Sequence, residues 1–190
     1  MLVLASSSPF RRELLARLGL PFEAASPDVD ESPLPGEAPA ALAARLAEAK
    51  ARALRGRFPG ALFIGSDQVA VARGRVLGKP GGPDAAADQL RWQSGGRTEF
   101  HTGLCLYDDA TGDCRTVVEP FAVTFRPLTD AQIARYIAAD APFGCAASFR
   151  SEARGITLFS AMDGRDPNAL VGLPLIALVE LLAARGVELP

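Results

Sequence analysis

Residues 98–108, TEFHTGLCLYD, and 114–127, CRTVVEPFAVTFRP, are two long runs of alternating apolar and polar character joined through DATGD. A period of two suits a pleated strand and cannot line one face of a helix, so the pair predicts an antiparallel hairpin at mid-chain. Shorter elements surround it. LVLA (2–5), FEAA (22–25), ALFIG (61–65) and GITLF (155–159) are apolar runs of strand type, and QVAVARGRVLG (68–78) predicts a second hairpin turning at Arg73–Gly74. Helices are expected over FRRELLARL (10–18) up to Gly19, over 38–56, over 84–93 and over LTDAQIARYIAAD (128–140) capped by Thr129 or Asp130. LVGLPLIALVELLAARG (170–186) completes the set, with Pro174 as an alternative start. Helices interleaved with mixed strands imply the α/β class: a mixed twisted sheet with flanking helices. The expected layout is one domain over 1–190 with two lobes, the central hairpin in one and the terminal segments in the other. A cleft between the lobes is the natural place for a ligand.

With 48% hydrophobic residues in 190, the chain has enough apolar surface for a real core. Its formal charge of −2 offers no broad positive field for nucleic acid or an anionic membrane, so any anion must be gripped locally. No apolar run reaches the ~18 residues of a membrane span, and the opening residues lack a signal-peptide core, so a cytoplasmic protein is expected. Cys105, Cys114 and Cys145 are odd in number and widely spaced, which suggests neither a disulfide framework nor a zinc site.

Chemistry concentrates in four places. LASSSPFRREL (4–14) runs from a strand through a serine-rich turn into a helix with Ser8 at the N-cap and Pro9 at the first helical position. Free N–H groups, the hydroxyls of Ser6 and Ser8 and the charges of Arg11 and Arg12 suit a phosphate there. The same residues also read as a plain N-cap with solvated arginines. IGSDQV (64–69) puts Asp67 at the end of an apolar strand, able to ligate a cation or orient water, or else only to start a turn. Lys79 in GKP (78–80) can reach a phosphate as a mobile charge or sit in solvent. Glu31 reads equally as a loop acid, and Lys50 borders the buried face of its helix. The only histidine, His101, falls within a strand, and Phe121 and Phe125 share one strand face as core residues do.

These residues are scattered, but their surroundings are not. LASSSPFRRELL, DVDES, RLAEAKA, IGSDQV, GKP, SFRSEARGITLF, DGRDPN and LVGLPL resemble, in order and over almost the whole chain, the signatures of the Maf family of nucleoside triphosphate pyrophosphatases. The resemblance implies an ITPase/Maf-like fold and cleavage between the α- and β-phosphates of a nucleotide. It implies Asp67 as proton acceptor and Glu31 with Asp67 as ligands of Mg2+ or Mn2+. Ser6, Ser8, Arg11, Arg12, Lys50 and Lys79 would form the phosphate cradle. Three positions set the chain apart from the dTTP/UTP branch and make it resemble the one that acts on 7-methyl-GTP: Phe10, Gln68 and Glu152 stand where the former carries Arg, Thr and Gln, with Phe10 a smaller aromatic than the Trp usual in the latter.

Those substitutions suit a cationic purine. Phe10 can stack on the charged ring, Glu152 can accept from the N1–H and N2–H edge, and Gln68 can donate or accept. A dTTP/UTP or other modified-nucleotide pyrophosphatase, and a non-catalytic nucleotide-binding regulator of septum formation, are the alternatives. The expected partner is a small nucleotide, with neither nucleic acid nor membrane, and the apolar C-terminal helix is a candidate homodimer face.

Overall fold

The computed structural model describes residues 1–189. Strand β1 (Leu2–Ala5) lies parallel to both β2 (Phe22–Ala25) and β3 (Leu62–Ala72), Leu2 facing Phe22 on one side and Leu62 on the other. The hairpin partner β4 (Arg75–Leu77) returns antiparallel to β3. Arg73 and Gly74 between them have φ of +50° and +75°, the positive pair that a tight two-residue hairpin turn requires. The long strands β5 (Arg97–Asp108) and β6 (Cys114–Phe125) follow, then β7 (Phe159–Gly164) antiparallel to β6. The order is β2-β1-β3-β5-β6-β7, a mixed seven-stranded sheet with β4 paired to β3. Helices α1 (Pro9–Ala16), α2 (Pro39–Arg52), α3 (Pro83–Gln93), α4 (Asp130–Asp140), α5 (Pro167–Val171) and α6 (Leu175–Ala183) complete the α/β fold.

The chain divides into two units, which share β3, β5 and β6 by sequence. Unit 1 comprises Met1–Gln68, His101–Glu119 and the chain from Asp166 on; unit 2 comprises Val69–Phe100 and Pro120–Arg165. In unit 1 the central strands β1, β3 and β5 are buried on both faces, and their side chains alternate between two clusters. Leu2, Leu4, Ile64, Leu104 and Leu106 meet Leu14 and Leu15 of α1 and Leu178 and Leu182 of α6. Val3, Ala5, Phe63, Cys105 and Tyr107 face Ala47 and Ala51 of α2. In unit 2, α3 packs on α4, and Phe100, Phe125, Phe149 and Phe159 form edge-to-face pairs with centroids 4.9–5.7 Å apart.

Four expectations need correction. The predicted central hairpin does not form a lobe of its own, because residues 101–119 cluster with the terminal segments. Helix α2 is shorter than 38–56, ending at Arg52 and passing into turns. The run 155–159 is not a strand: Arg154–Leu158 form a 3-10 helix whose Gly155 N–H donates to the Arg150 carbonyl at 3.0 Å, an approach open to glycine because a Cβ would lie 2.3 Å from that oxygen, and only Phe159 opens β7. The C-terminal helix does not run from Leu170: it starts after Pro174, as the alternative start had it, and Pro167–Val171 form the separate helix α5, divided from α6 at Gly172 and Pro174. The fully buried Asp166 holds that division: one carboxylate oxygen accepts from the Asn168 N–H and the other from the Ile176 N–H, each at 2.8 Å.

Candidate active site

The site is built by backbone docked on backbone. At Gly65 of β3 an added Cβ would lie 2.1 Å from the Ala47 carbonyl oxygen, and at Gly103 of β5 one would lie 2.1 Å from that of Ala43. Helix α2, alanine-rich on this face, therefore rests directly on two strand glycines. Asp67 is two residues beyond Gly65 and points to the same side. Lys50 is three residues beyond Ala47 and close to the same stripe. The two meet: Lys50 Nζ donates to Asp67 Oδ1 at 2.6 Å, with only 8% and 12% of the two side chains exposed. Asp67 is thus an interior residue of an eleven-residue strand and not, as the sequence predicted, its terminus. Gly65 and Ser66 look like turn residues only because α2 crowds the one and the other is bonded internally.

Glu31 joins from the loop before α2. Its Oε1 lies 2.6 Å from the same Nζ, with 59% of the side chain exposed. Two residues that sequence reasoning missed hold this loop. Arg45 of α2 donates from Nε and Nη2 to the two carboxylate oxygens of Glu37, at 2.6 and 2.8 Å, and from Nη2 to the Ser32 carbonyl at 3.0 Å. The Leu34 N–H adds a bond to Glu37, and together these bonds hold the Glu37 carboxyl down at about 2. Nothing in a Glu and an Arg eight positions apart across a loop boundary announces that pairing.

The turn before α1 is close-knit. Ser6 Oγ accepts from the Ser8 N–H at 3.1 Å, and Ser8 Oγ caps the helix by accepting from the Arg11 N–H at 3.4 Å. Both hydroxyls keep their protons to donate. The two arginines diverge. Arg11 turns inward, donating from Nε to the Gly172 carbonyl at 2.8 Å. Burial lowers its pKa, while the charges of Asp67 and Glu31 pull it back up, which places the guanidinium in the field of the acidic pair. Arg12 is exposed and makes no ion pair among the described residues. Gly172, in LVGLPL, has φ of +120°, and a Cβ there would crowd Arg11 Nε at 3.3 Å. Its carbonyl also lies 2.8 Å from Ser66 Oγ, so one peptide oxygen ties α1 and β3 to the turn before α6.

Alternation sends Gln68 to the other face of β3. Its Nε2 donates to the Ala169 carbonyl at 2.7 Å, the Leu170 carbonyl at 3.1 Å and Thr102 Oγ1 at 3.2 Å. The amide nitrogen is thereby committed to α5, leaving Oε1 as its free function. Phe10 is half-buried in the first turn of α1. Lys79 and Glu152 belong to unit 2. Lys79 is exposed just beyond β4, and Glu152 Oε1 lies 3.3 Å from Arg150 Nε. Burial raises the pKa of the Cys145 thiol, Glu152 adds to the rise, and Arg150 and Lys79 oppose it, so both candidate residues act on the same neighbourhood of unit 2.

The structure therefore brings Glu31, Lys50, Asp67 and Arg11 into one acid–base cluster in unit 1. The two carboxylates converge on a point held by an ammonium, and they are hard oxygen donors of the kind Mg2+ or Mn2+ takes. Among the described residues no third His, Cys, Asp or Glu gathers with them, so the remaining ligands of a bound cation would be waters and substrate oxygens. Among the described residues no helix is long and apolar enough to cross a membrane.

These features define a mixed α/β protein carrying a compact carboxylate–ammonium cluster on its sheet. Comparison with known proteins agrees. Residues 1–185 match the Maf-like protein family. The chain is 58% identical over 185 residues to the 7-methyl-GTP pyrophosphatase of Nitrosococcus oceani, covering 97% of this chain and 93% of that one. It is 58% identical over 189 residues to the enzyme of the same name from Alcanivorax borkumensis (100% and 96%), and 52% over 189 residues to that from Pseudomonas aeruginosa (100% and 98%). The chain belongs to the Maf family.

Proposed function

We propose that the chain is a nucleoside triphosphate pyrophosphatase that hydrolyses 7-methyl-GTP to 7-methyl-GMP and diphosphate. The observation that carries this reading is the Glu31–Lys50–Asp67 cluster, in a chain more than half identical along its length to relatives bearing that activity in their names. Hydrolysis of a phosphoanhydride asks little covalent work of a protein; it asks for positioning and for charge where charge develops. Asp67 gives one oxygen to Lys50, so Oδ2 is free to accept the proton of an attacking water. Lys50 keeps two carboxylates from repelling each other, and after those two pairs one ammonium proton remains to donate to a phosphate oxygen. Arg11, held by the Gly172 carbonyl, presents the rest of its fork as a fixed donor, and Arg12 and Lys79 supply mobile charge. A divalent cation held by Glu31 and Asp67 would neutralise charge on the phosphates.

Base preference in this reading falls to Phe10, Gln68 and Glu152. With its nitrogen bound to α5, Gln68 can only accept, through Oε1, so it would read an N–H of the methylated base or a ribose hydroxyl. Glu152 would take the donor edge. A panel of 7-methyl-GTP, GTP, dTTP and UTP, assayed for diphosphate release with and without Mg2+ or Mn2+, tests the proposal. Preferential, metal-dependent release from 7-methyl-GTP is expected. Preference for dTTP or UTP would overturn the assignment of the base, and release from none of the four would overturn the enzyme.

A further inference from the structure

Unit 2 contains a cavity of about 380 Å3 whose lining includes Arg126, Arg135, Arg154, Gln132, Tyr136 and Leu158. No part of the proposed hydrolysis uses it. Its polar groups are almost all donors. Arg126 is fixed on the Thr157 carbonyl through Nε and Nη2, leaving Nη1 free. Arg154 spends Nη1 on the Ala139 carbonyl at 3.1 Å and on Asp140 at 3.2 Å, leaving Nε and Nη2. Arg135, on the exposed side of α4, has no ion pair or hydrogen bond among the described residues. The oxygen of Gln132 is taken by the Thr129 N–H and hydroxyl, so only its NH2 remains to face a ligand. Tyr136 accepts the Arg150 N–H at 3.0 Å and keeps its phenolic proton, because burial raises its pKa.

Among the described residues no Asp or Glu lines the cavity; Asp140, with which Arg154 pairs, is only 4% exposed and already bound twice by Arg154, through Nη1 and through the main-chain N–H. Three guanidinium groups thus line the cavity with one committed acid between them, paired to Arg154, and main-chain carbonyls hold two of the three, Arg126 and Arg154. Such an arrangement repels itself until an anion enters. Fixed guanidinium forks match phosphoryl oxygens bidentately, and the apolar walls offered by Leu128 and Leu158 leave room for an organic portion.

We infer that this cavity is a second ligand site, separate in its residues from the acid–base cluster of unit 1, which binds the phosphoryl group of a small phosphorylated molecule. The inference does not rest on the proposed pyrophosphatase activity. It is tested by arginine modification with phenylglyoxal on the full chain, read peptide by peptide by mass spectrometry. The probes are inorganic phosphate, diphosphate and guanosine monophosphate, added without metal. Protection follows 1 + [L]/Kd, so probe at ten times its Kd should slow modification of Arg135 about tenfold. Protection by phosphate or diphosphate identifies the free anion as sufficient, and protection by the monophosphate alone identifies an organic ester; either supports the site.

Arg126→Gln should abolish protection at Arg135 while leaving modification of Arg12 as it is in the parent chain. If that variant does not fold by circular dichroism, Arg135→Gln, at an exposed helical position, replaces it, with protection read at Arg126. Modification of Arg135 at the same rate with and without all three probes overturns the inference, as does full protection surviving in the folded variant. Arg12 reports the other site separately, so either reading can fail while the other stands.

Discussion

Replacing Lys50 by Met keeps the side chain's apolar stem and removes only its charge. Two carboxylates are then left facing each other, unequally buried: 12% of the Asp67 side chain is exposed against 59% for Glu31. Loss of one partner from a buried ion pair costs about 3–5 kcal/mol, whereas an exposed pair contributes about 0–1 kcal/mol. Asp67 therefore dominates. Arg11 remains within its field, which puts the loss near the lower figure, about 3 kcal/mol. At roughly 2–4 °C per kcal/mol for a chain of this size, the melting temperature should fall by roughly 6–12 °C.

The second variant decides the cause. Lys50→Met combined with Asp67→Asn leaves no unpaired buried carboxylate and should recover about 2 kcal/mol of the loss, although neither variant should release diphosphate. Calorimetric melts of the wild type, both single variants and the double variant supply the cycle. A Lys50→Met melt within about 2 °C of the wild type, or a double variant no more stable than Lys50→Met, would refute the claim that this charge pair is a buried one.

Asp67→Asn alone should reduce diphosphate release by at least about a hundredfold while nucleotide binding stays measurable by titration calorimetry, and near-normal turnover would remove Asp67 as proton acceptor. Glu152→Gln should shift preference from 7-methyl-GTP toward unmethylated or pyrimidine triphosphates; an unchanged ratio of kcat/KM values would show that Glu152 does not read the base. The Glu37 carboxyl is held at about 2 against an ordinary 4.5, so the stability it lends is complete above 4.5 and lost as pH falls toward 2. Glu37→Gln should therefore flatten the acid side of the stability curve in that window, and identical slopes in urea melts would contradict it.

Local signals carried the beginning of the chain. LVLA, Ser8 and Pro9 predicted β1 and the cap of α1 because strand burial and helix capping act within a few residues. They failed where tertiary contacts override propensity. Ile156, Thr157 and Leu158 favour a strand, yet they lie in a 3-10 helix whose start is tied back by the Gly155 N–H to the Arg150 carbonyl. Gly65–Ser66–Asp67 reads as the end of a strand, yet β3 runs straight on, with Ser66 Oγ 2.8 Å from each of the Gly103 and Gly172 carbonyls. The candidate site was legible only in part. Spacing put Lys50 beside a buried face but could not choose its partners, and it was the family resemblance that named Glu31, Lys50 and Asp67 together. The supports that hold them, Arg45 on Glu37 and the Gly172 carbonyl under Arg11, join segments that no local pattern connects.

The two glycines beneath α2 work like the notches of an indexed mount. A slip of one residue would advance the helix about 1.5 Å and rotate it about 100°, carrying Ala43 and Ala47 off their seats and swinging the ammonium away from Asp67. The least chemical side chains of the molecule thus set the alignment of its most chemical ones. A methyl group added at Gly65 or Gly103 would disturb the acid–base cluster without touching a charge.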